Sequence, residues 1–382
     1  MSQLEYFGFN SIINLNNILF NHKPTKIFLV TGKDSYIKSG AKSTIDPILN
    51  GYDVTHFNNF ETNPKLSDVE KGLKLFREKK CDFVIAIGGG SVIDVAKSIN
   101  LFAFNDGEPI EYITRKKAIQ NRGAPLVAVP TTTGSGSEAT KFAVIYTEKI
   151  KQSLEHNLML PDYAIIDPQF ALSLPKKVAS PPIIDALCQA IESYWSVNST
   201  QESKTYAKQA IKILIKNLPN AINNPNIKLI EELAKVANLA GKAINISRTT
   251  APHAVSYPIT AYFDVPHGQA VALTIAQMLI YNSNVTEEDV LDQRGVGYVK
   301  RTIKEIVNLL GTKNVEEAST KIKNIMMEMG LSTKLSELGI QTDEDIQLII
   351  GRGFNPDRVY NNPRKLTEDA LIKILYEIKW KE

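Results

Sequence analysis

Across the first 180 residues the apolar positions gather in short unbroken runs, each followed by a stretch of helical periodicity. Lys26-Ile-Phe-Leu-Val-Thr31 reads as a buried strand ended by Gly32, and Asp53-Val-Thr-His-Phe57 as a second strand. The residues between them, up to Gly51, read as one helix. Ser67 to Lys80 places Val69, Leu73 and Phe76 on one side of a helix. Phe83-Val-Ile-Ala-Ile87 is a continuous apolar strand that runs into Gly88-Gly-Gly-Ser91 and a helical Val92–Phe102. Leu126-Val-Ala-Val129 is the next strand, followed by Pro130-Thr-Thr-Thr-Gly-Ser-Gly-Ser-Glu138. This alternation predicts a largely parallel sheet covered on both faces.

From about residue 180 the periodicity is helical, with helices predicted at 183–197, 202–218, 228–246, 268–282, 297–310, 315–329 and 367–380. The segment from Pro175 to Pro182 carries three prolines and marks the predicted boundary. The fold class is therefore α/β plus all-α. Residues 1–178 form a Rossmann-like, parallel-sheet nucleotide domain, and residues 179–382 an all-helical one.

A formal net charge of +3 on 382 residues gives no reason to expect a nucleic-acid or membrane partner. Cys81 and Cys188 lie in apolar surroundings without C-x-x-C spacing, which suits a reduced compartment. The N-terminus lacks a basic start with an apolar core, and no run reaches the ~18 apolar residues of a membrane span. A soluble, cytoplasmic protein is expected.

Two places carry candidate chemistry. The triple glycine 88–90 stands between a strand and a helix start, where backbone N–H groups and the helix dipole can hold a pyrophosphate. A plain tight turn would look the same, but the loop at 131–137 adds hydroxyls and two glycines after the neighbouring strand, and the pair points to a nucleotide crevice. The second place is 185–267. Asp185 and Gln189 are four apart and project from one helix face, and two of the chain's five histidines follow at His253 and His267. These four could form an oxygen–nitrogen metal site, or Asp185 could cap a helix with the histidines packed elsewhere.

Gly88-Gly-Gly-Ser-Val-Ile-Asp-Val-Ala-Lys97, Pro130 to Thr140, Asp185-Ala-Leu and Pro266-His-Gly268 together resemble the iron-containing (group III) alcohol dehydrogenases, over nearly the whole chain. Asp185 through Ser203, Thr249-Thr-Ala-Pro-His253 and Asn361-Asn-Pro-Arg-Lys-Leu366 are most similar to the phosphonoacetaldehyde reductase branch. The resemblance implies a dehydroquinate-synthase-like fold, a nicotinamide cofactor, a divalent metal (Fe2+ or Zn2+) and interconversion of phosphonoacetaldehyde with 2-hydroxyethylphosphonate. It also implies a homodimer. Sulfoacetaldehyde or an uncharged aldehyde is the alternative substrate. An elimination of the dehydroquinate-synthase type and a non-catalytic relative are the more distant alternatives.

By that resemblance Gly88, Gly89, Gly90, Ser91 and Asp94 bind the cofactor, with Gly89, Gly90 and Ser91 at the pyrophosphate. Thr131, Thr132 and Thr140 line the nicotinamide side, and Asn63 and Lys151 touch the ribose or adenosine. Gly32 stands where NAD-preferring relatives carry an acid, so NADPH is expected ahead of NADH, with Lys33 as a candidate partner and Asp34 nearby. Asp185, His253 and His267 would ligate the metal. Gln189 replaces the family's histidine and would ligate weakly or through water. Tyr257 replaces a histidine thought to relay a proton. A phenol ordinarily titrates near ~10, so solvent is the competing proton source. Arg248 and Phe142 are the substrate-site candidates, each with a surface or core role as the alternative. Lys141, Arg358 and Arg364 are further cations for a dianionic substrate.

Overall fold

A computed structural model of the chain describes residues 3–148, 150–173, 176–221, 226–354 and 356–380. Two compact units emerge, Met1–Leu174 with Asn226–Ala234, and Pro175–Pro225 with Lys235–Glu382.

The first unit is built on strands β1 (Leu4–Phe7), β2 (Ile27–Thr31), β3 (Val54–Phe57), β4 (Phe83–Gly88), β5 (Leu126–Pro130), β6 (Phe142–Thr147), β7 (Ile150–Glu155) and β8 (Tyr163–Ile166). Its helices are α1 (Asn14–His22), α2 (Ser35–Lys38), α3 (Ala41–Leu49), α4 (Leu66–Lys79), α5 (Gly90–Ala103) and α6 (Pro109–Ile113). Six strands make one parallel sheet in the order β1-β8-β5-β4-β2-β3. Side chains alternate across it. Phe28, Val30, Val84 and Ala86 enter one core, while Ile27, Leu29, Ile85 and Ile87 enter another on the opposite face. Burial on both faces is why these strands read as unbroken apolar runs.

The chain turns outward from β2 to β3, then recrosses to β4 and moves on to β5. The carboxyl ends of β2 and β4 thus flank the point where strand order reverses, the usual nucleotide crevice in such sheets. Gly32 and the triple glycine leave from those two ends.

Several elements differ from the sequence reading. The predicted helix running up to Gly51 is two helices, α2 and α3, divided at Gly40, whose φ of +79° favours glycine. Strands β1 and β8 pair with each other from opposite ends of the unit, and β6 with β7 forms an antiparallel hairpin. These strands are short or amphipathic and carry little periodic signal.

The second unit is helical, with α7 (Lys176–Trp195), α8 (Gln201–Ala221), α9 (Ile227–Ser247), α10 (Ala251–Phe263), α11 (His267–Ser283), α12 (Val296–Leu309), α13 (Val315–Glu328), α14 (Asp343–Gly353), α15 (Pro356–Val359) and α16 (Glu368–Trp380). The first residues of α9 belong to the first unit. Pro181 and Pro182, expected to break the chain, lie inside α7. Both lie past the first four free N–H groups of the helix, so each forgoes an intrahelical bond. The run of buried residues from Ile183 to Ser196 outweighs that loss. Helix α10 falls where the sequence predicts no helix, because Pro252 and Pro258 disguise it. Pro252 sits in its first turn, where proline is tolerated. Among the described residues, no helix is long and apolar enough to cross a membrane.

Candidate active site: a phosphate loop and a metal-ligand cluster

In the first unit, Gly88 on β4 pairs with Pro130 on β5, so the glycine loop and the 131–140 loop leave adjacent strands at the same level. Thr131 donates its backbone N–H to Gly88 O at 3.0 Å. The loops also touch through side chains. A Cβ on Gly89 would lie 3.4 Å from Thr132, and one on Gly90 would press on Ser135 Oγ at 2.9 Å. Glycine at 90 is therefore favoured by the neighbouring loop as well as suited to a ligand. Ser91 donates its hydroxyl to Thr62 O, which ties down the segment carrying exposed Asn63. Next along, Pro64 O accepts from Tyr146 N at 2.8 Å, and Tyr146 is the register partner of Lys151. Asn63 and Lys151, far apart in sequence, thus sit on contiguous backbone.

Two residues of the glycine motif act inside the protein. Asp94 accepts the Ser137 hydroxyl at 2.5 Å and the Val144 N–H at 3.0 Å, so both its oxygens are engaged. Lys97, 1% exposed, donates from Nζ to Ser137 O at 2.5 Å, Thr140 O at 2.7 Å and Phe142 O at 2.9 Å. Burial pushes the Lys97 ammonium down to about 8 against the pull of Asp94 and Glu138, and burial raises Asp94. Together they fasten α5 to the second loop and to the start of β6. Thr140, expected at the nicotinamide, is buried with its hydroxyl between Lys97 Nζ and Ser137 O. Thr131 is equally buried, and its Oγ1 has no partner among the described residues. Phe142 is half-buried at the start of β6.

After β2, a Cβ on Gly32 would strike the Ser35 hydroxyl. Exposed Asp34 is paired with Lys38 at 3.0 Å, and Lys33 is exposed.

In the second unit, α7 carries Asp185, Gln189 and Glu192 at positions i, i+4 and i+7 of one face. Helix α10 brings His253, and α11 opens with His267. One ligand atom from each of Asp185, His253 and His267 lies within 4.8 Å of the others. His253 Nε2 stands 3.5 Å from Asp185 Oδ1, a buried oxygen without a hydrogen bond among the described residues. Two ligand atoms each ~2.1 Å from one cation at a tetrahedral angle stand ~3.4 Å apart. The donor set and its spacing fit a divalent metal.

The close meeting of α7 and α11 depends on Gly268, because a Cβ there would run into the Pro181 carbonyl and come within 2.8 Å of Asp185 Cβ. Gln189 projects beside Asp185 as the spacing predicts, and its amide Nε2 donates to Asp185 Oδ2 at 3.1 Å. Tyr257 lies one turn beyond His253, mostly buried, with its ring 6.4 Å from the His267 ring.

Glu192 was not foreseen, although its i+7 spacing from Asp185 was a readable signal. It is fully buried and faces His253 Nδ1 through Oε2. Burial disfavours charge on His253, but Glu192 and Asp185 outweigh it and lift the imidazole to about 10. A metal held at Nε2 would replace a proton there.

Arg248 ends α9 with φ 61°, half-buried, at the turn leading to Thr250 and α10. Arg364 is committed elsewhere, bonded to Asp289 at 2.8 Å and Tyr281 O at 2.8 Å. Lys141 pairs with Glu155 at 3.6 Å.

Comparison with known proteins agrees with this geometry. Residues 5–168 match the iron-containing alcohol dehydrogenase family, and residues 182–378 match the C-terminal domain of the Fe-containing alcohol dehydrogenase family. The chain is 30% identical to 1,3-propanediol dehydrogenase of Klebsiella pneumoniae, over 97% of this chain and 96% of that one. It is 31% identical to phosphonoacetaldehyde reductase of Streptomyces viridochromogenes, over 79% of this chain and 77% of that one. The solved structure of sulfoacetaldehyde reductase from Bifidobacterium kashiwanohense, in complex with NAD+, superposes with a TM-score of 0.88 at 28% identity, covering 100% of this chain and 98% of that one. The chain belongs to the iron-containing alcohol dehydrogenase family and is an NAD(P)-dependent alcohol dehydrogenase or aldehyde reductase.

Proposed function

We propose that the protein reduces phosphonoacetaldehyde to 2-hydroxyethylphosphonate, with NADPH as hydride donor. The observation that carries the reading is the cluster Asp185, His253 and His267, whose donors lie within 4.8 Å of one another in a chain 31% identical to a phosphonoacetaldehyde reductase. The segment Asn361 to Leu366 adds to that support. A bound Fe2+ or Zn2+ supplies Lewis acidity toward an aldehyde oxygen.

The chain's own residues do the rest. Backbone N–H groups at Gly89, Gly90 and Ser91 open α5 and receive the pyrophosphate. Asn63 and Lys151 take the ribose or adenosine. Thr131 and Thr132 lie on the second loop, which Asp94, Lys97 and Thr140 hold in register. Tyr257 holds a proton at Oη for the product alkoxide, with water as the other source. Arg248 meets the phosphonate and Phe142 the carbon chain. Asp34, already paired with Lys38, leaves the Gly32 turn without a committed acid, which favours NADPH over NADH. A homodimer belongs to the same proposal, and light scattering tests it.

A second reading, sulfoacetaldehyde or an uncharged aldehyde as substrate, rests on the sulfoacetaldehyde reductase and propanediol dehydrogenase likenesses. The experiment is NADPH oxidation by metal-reconstituted protein with phosphonoacetaldehyde, sulfoacetaldehyde and propanal side by side. Preference for the phosphonate that collapses in Arg248→Ala supports the proposal. Equal turnover of all three removes the phosphonate and keeps the reductase.

A further inference from the structure

Among the described residues, every hydrogen bond of the Glu192 side chain runs to the segment that carries His253. Oε1 accepts the Thr250 N–H at 2.9 Å, the Thr250 hydroxyl at 2.9 Å and the His253 N–H at 3.3 Å. Oε2 is left for His253 Nδ1. The direction of these bonds is fixed from outside. The Trp195 indole N–H donates to Thr250 Oγ1 at 2.9 Å, and an indole nitrogen can only donate. Thr250 therefore accepts from Trp195 and sends its own proton to Glu192. With three donors on Oε1, Glu192 is an acceptor, so Nδ1 carries a hydrogen and Nε2, which faces Asp185 and His267, is the nitrogen that would ligate a metal.

Further bonds hold the turn before α10. Asn361 Nδ2 donates to Thr249 O at 3.0 Å, Asn198 Nδ2 donates to Asn361 Oδ1 at 2.8 Å, and Ser196 Oγ donates to Ser247 O at 2.8 Å. The segment Asn361-Asn-Pro-Arg thus reaches the metal cluster through backbone, without presenting a ligand.

We propose that Glu192 is the positioning residue that sets the tautomer of His253, with Trp195 and Thr250 dictating the direction of the hydrogen bonds that hold it. A carboxylate on the far nitrogen fixes a metal-binding imidazole and raises its basicity, and loss of such a partner typically costs ~10–100-fold in metal affinity. The inference rests on reading Asp185, His253 and His267 as metal ligands.

The test is a cobalt titration of the chelator-stripped protein, followed by visible absorption and by competition with a chromophoric chelator. Wild-type protein that binds no cobalt removes the metal reading itself, and with it this inference. Where wild type binds, Glu192→Gln turns an amide N–H toward Nδ1, and cobalt binding weakens ~10–100-fold with an altered visible spectrum. In a His253→Ala background the same substitution leaves cobalt affinity unchanged, whereas a purely structural defect lowers it in both backgrounds. If Glu192→Gln does not fold, Thr250→Val removes one donor to Oε1 and lowers affinity severalfold by the same route. Unchanged affinity and spectrum in the folded variants overturns the proposal.

Discussion

Gln189 gives its side-chain amide to Asp185 Oδ2 across 3.1 Å, one helical turn away on the same face of α7. The bond holds Gln189 beside Asp185, one of the three proposed ligands. The substitution Gln189→His puts an imidazole beside Asp185, and imidazole suits Fe2+ and Zn2+ better than a neutral amide does. Metal affinity should tighten on the order of tenfold, ~1.4 kcal/mol. Chelator competition checks it, and unchanged affinity would mean the side chain at 189 cannot reach the ion.

Gly268→Ala should be among the more damaging small substitutions in the second unit. The added methyl meets the Pro181 carbonyl and Asp185 Cβ, so α7 and α11 must separate. Overpacking of this kind costs ~1–3 kcal/mol. Urea denaturation should show that loss, and metal affinity should fall with it because Asp185 and His267 move apart.

Lys97 gives a pH dependence whose sign can be stated. Its ammonium sits at about 8 in the folded protein against the ordinary 10.5. Between those values the unfolded chain binds the extra proton, so stability from this group rises with pH across that window. The stability gap between wild type and Lys97→Met should therefore widen from pH 8 toward 10.5, by on the order of 3 kcal/mol at most. A gap that narrows over that range would contradict the assignment. At pH 7 the variant should still be less stable by ~3 kcal/mol, since three carbonyls lose their donor and Asp94 its partner.

Arg364 separates structural from substrate cations. Its guanidinium bonds Asp289 and Tyr281 O and lies 4.1 Å over the Tyr281 ring. Arg364→Ala should lower stability by ~2 kcal/mol while the ratio of phosphonate to propanal turnover stays as in wild type. A selective loss of phosphonate activity would move Arg364 into the substrate site.

Much of the architecture was legible because the central strands are buried on both faces, so β2, β4 and β5 appear as apolar runs with glycine at their ends. Strand β1 and the β6–β7 hairpin were hidden by their exposed or half-exposed positions, β8 by its four-residue length, and α10 by Pro252 and Pro258. Within the metal cluster, Asp185, His253 and His267 were found from residue type and resemblance. Glu192 was passed over because a glutamate on a helix usually faces water; its complete burial is a tertiary fact. Lys97 was hidden in the same way, since only the folded loop shows its three carbonyl acceptors.

The bond from Trp195 to Thr250 has an optical consequence. The chain has two tryptophans, Trp195 with 1% exposure and Trp380 with 58%. Iodide should quench Trp380 and spare Trp195, leaving emission from an indole joined through Thr250 and Glu192 to His253. Occupation of Nε2 alters the charge at the end of that chain, so the shielded emission should shift or change intensity as the ion binds. Such a shift would make Trp195 a built-in reporter of metal loading, with no dye to attach and no residue to replace.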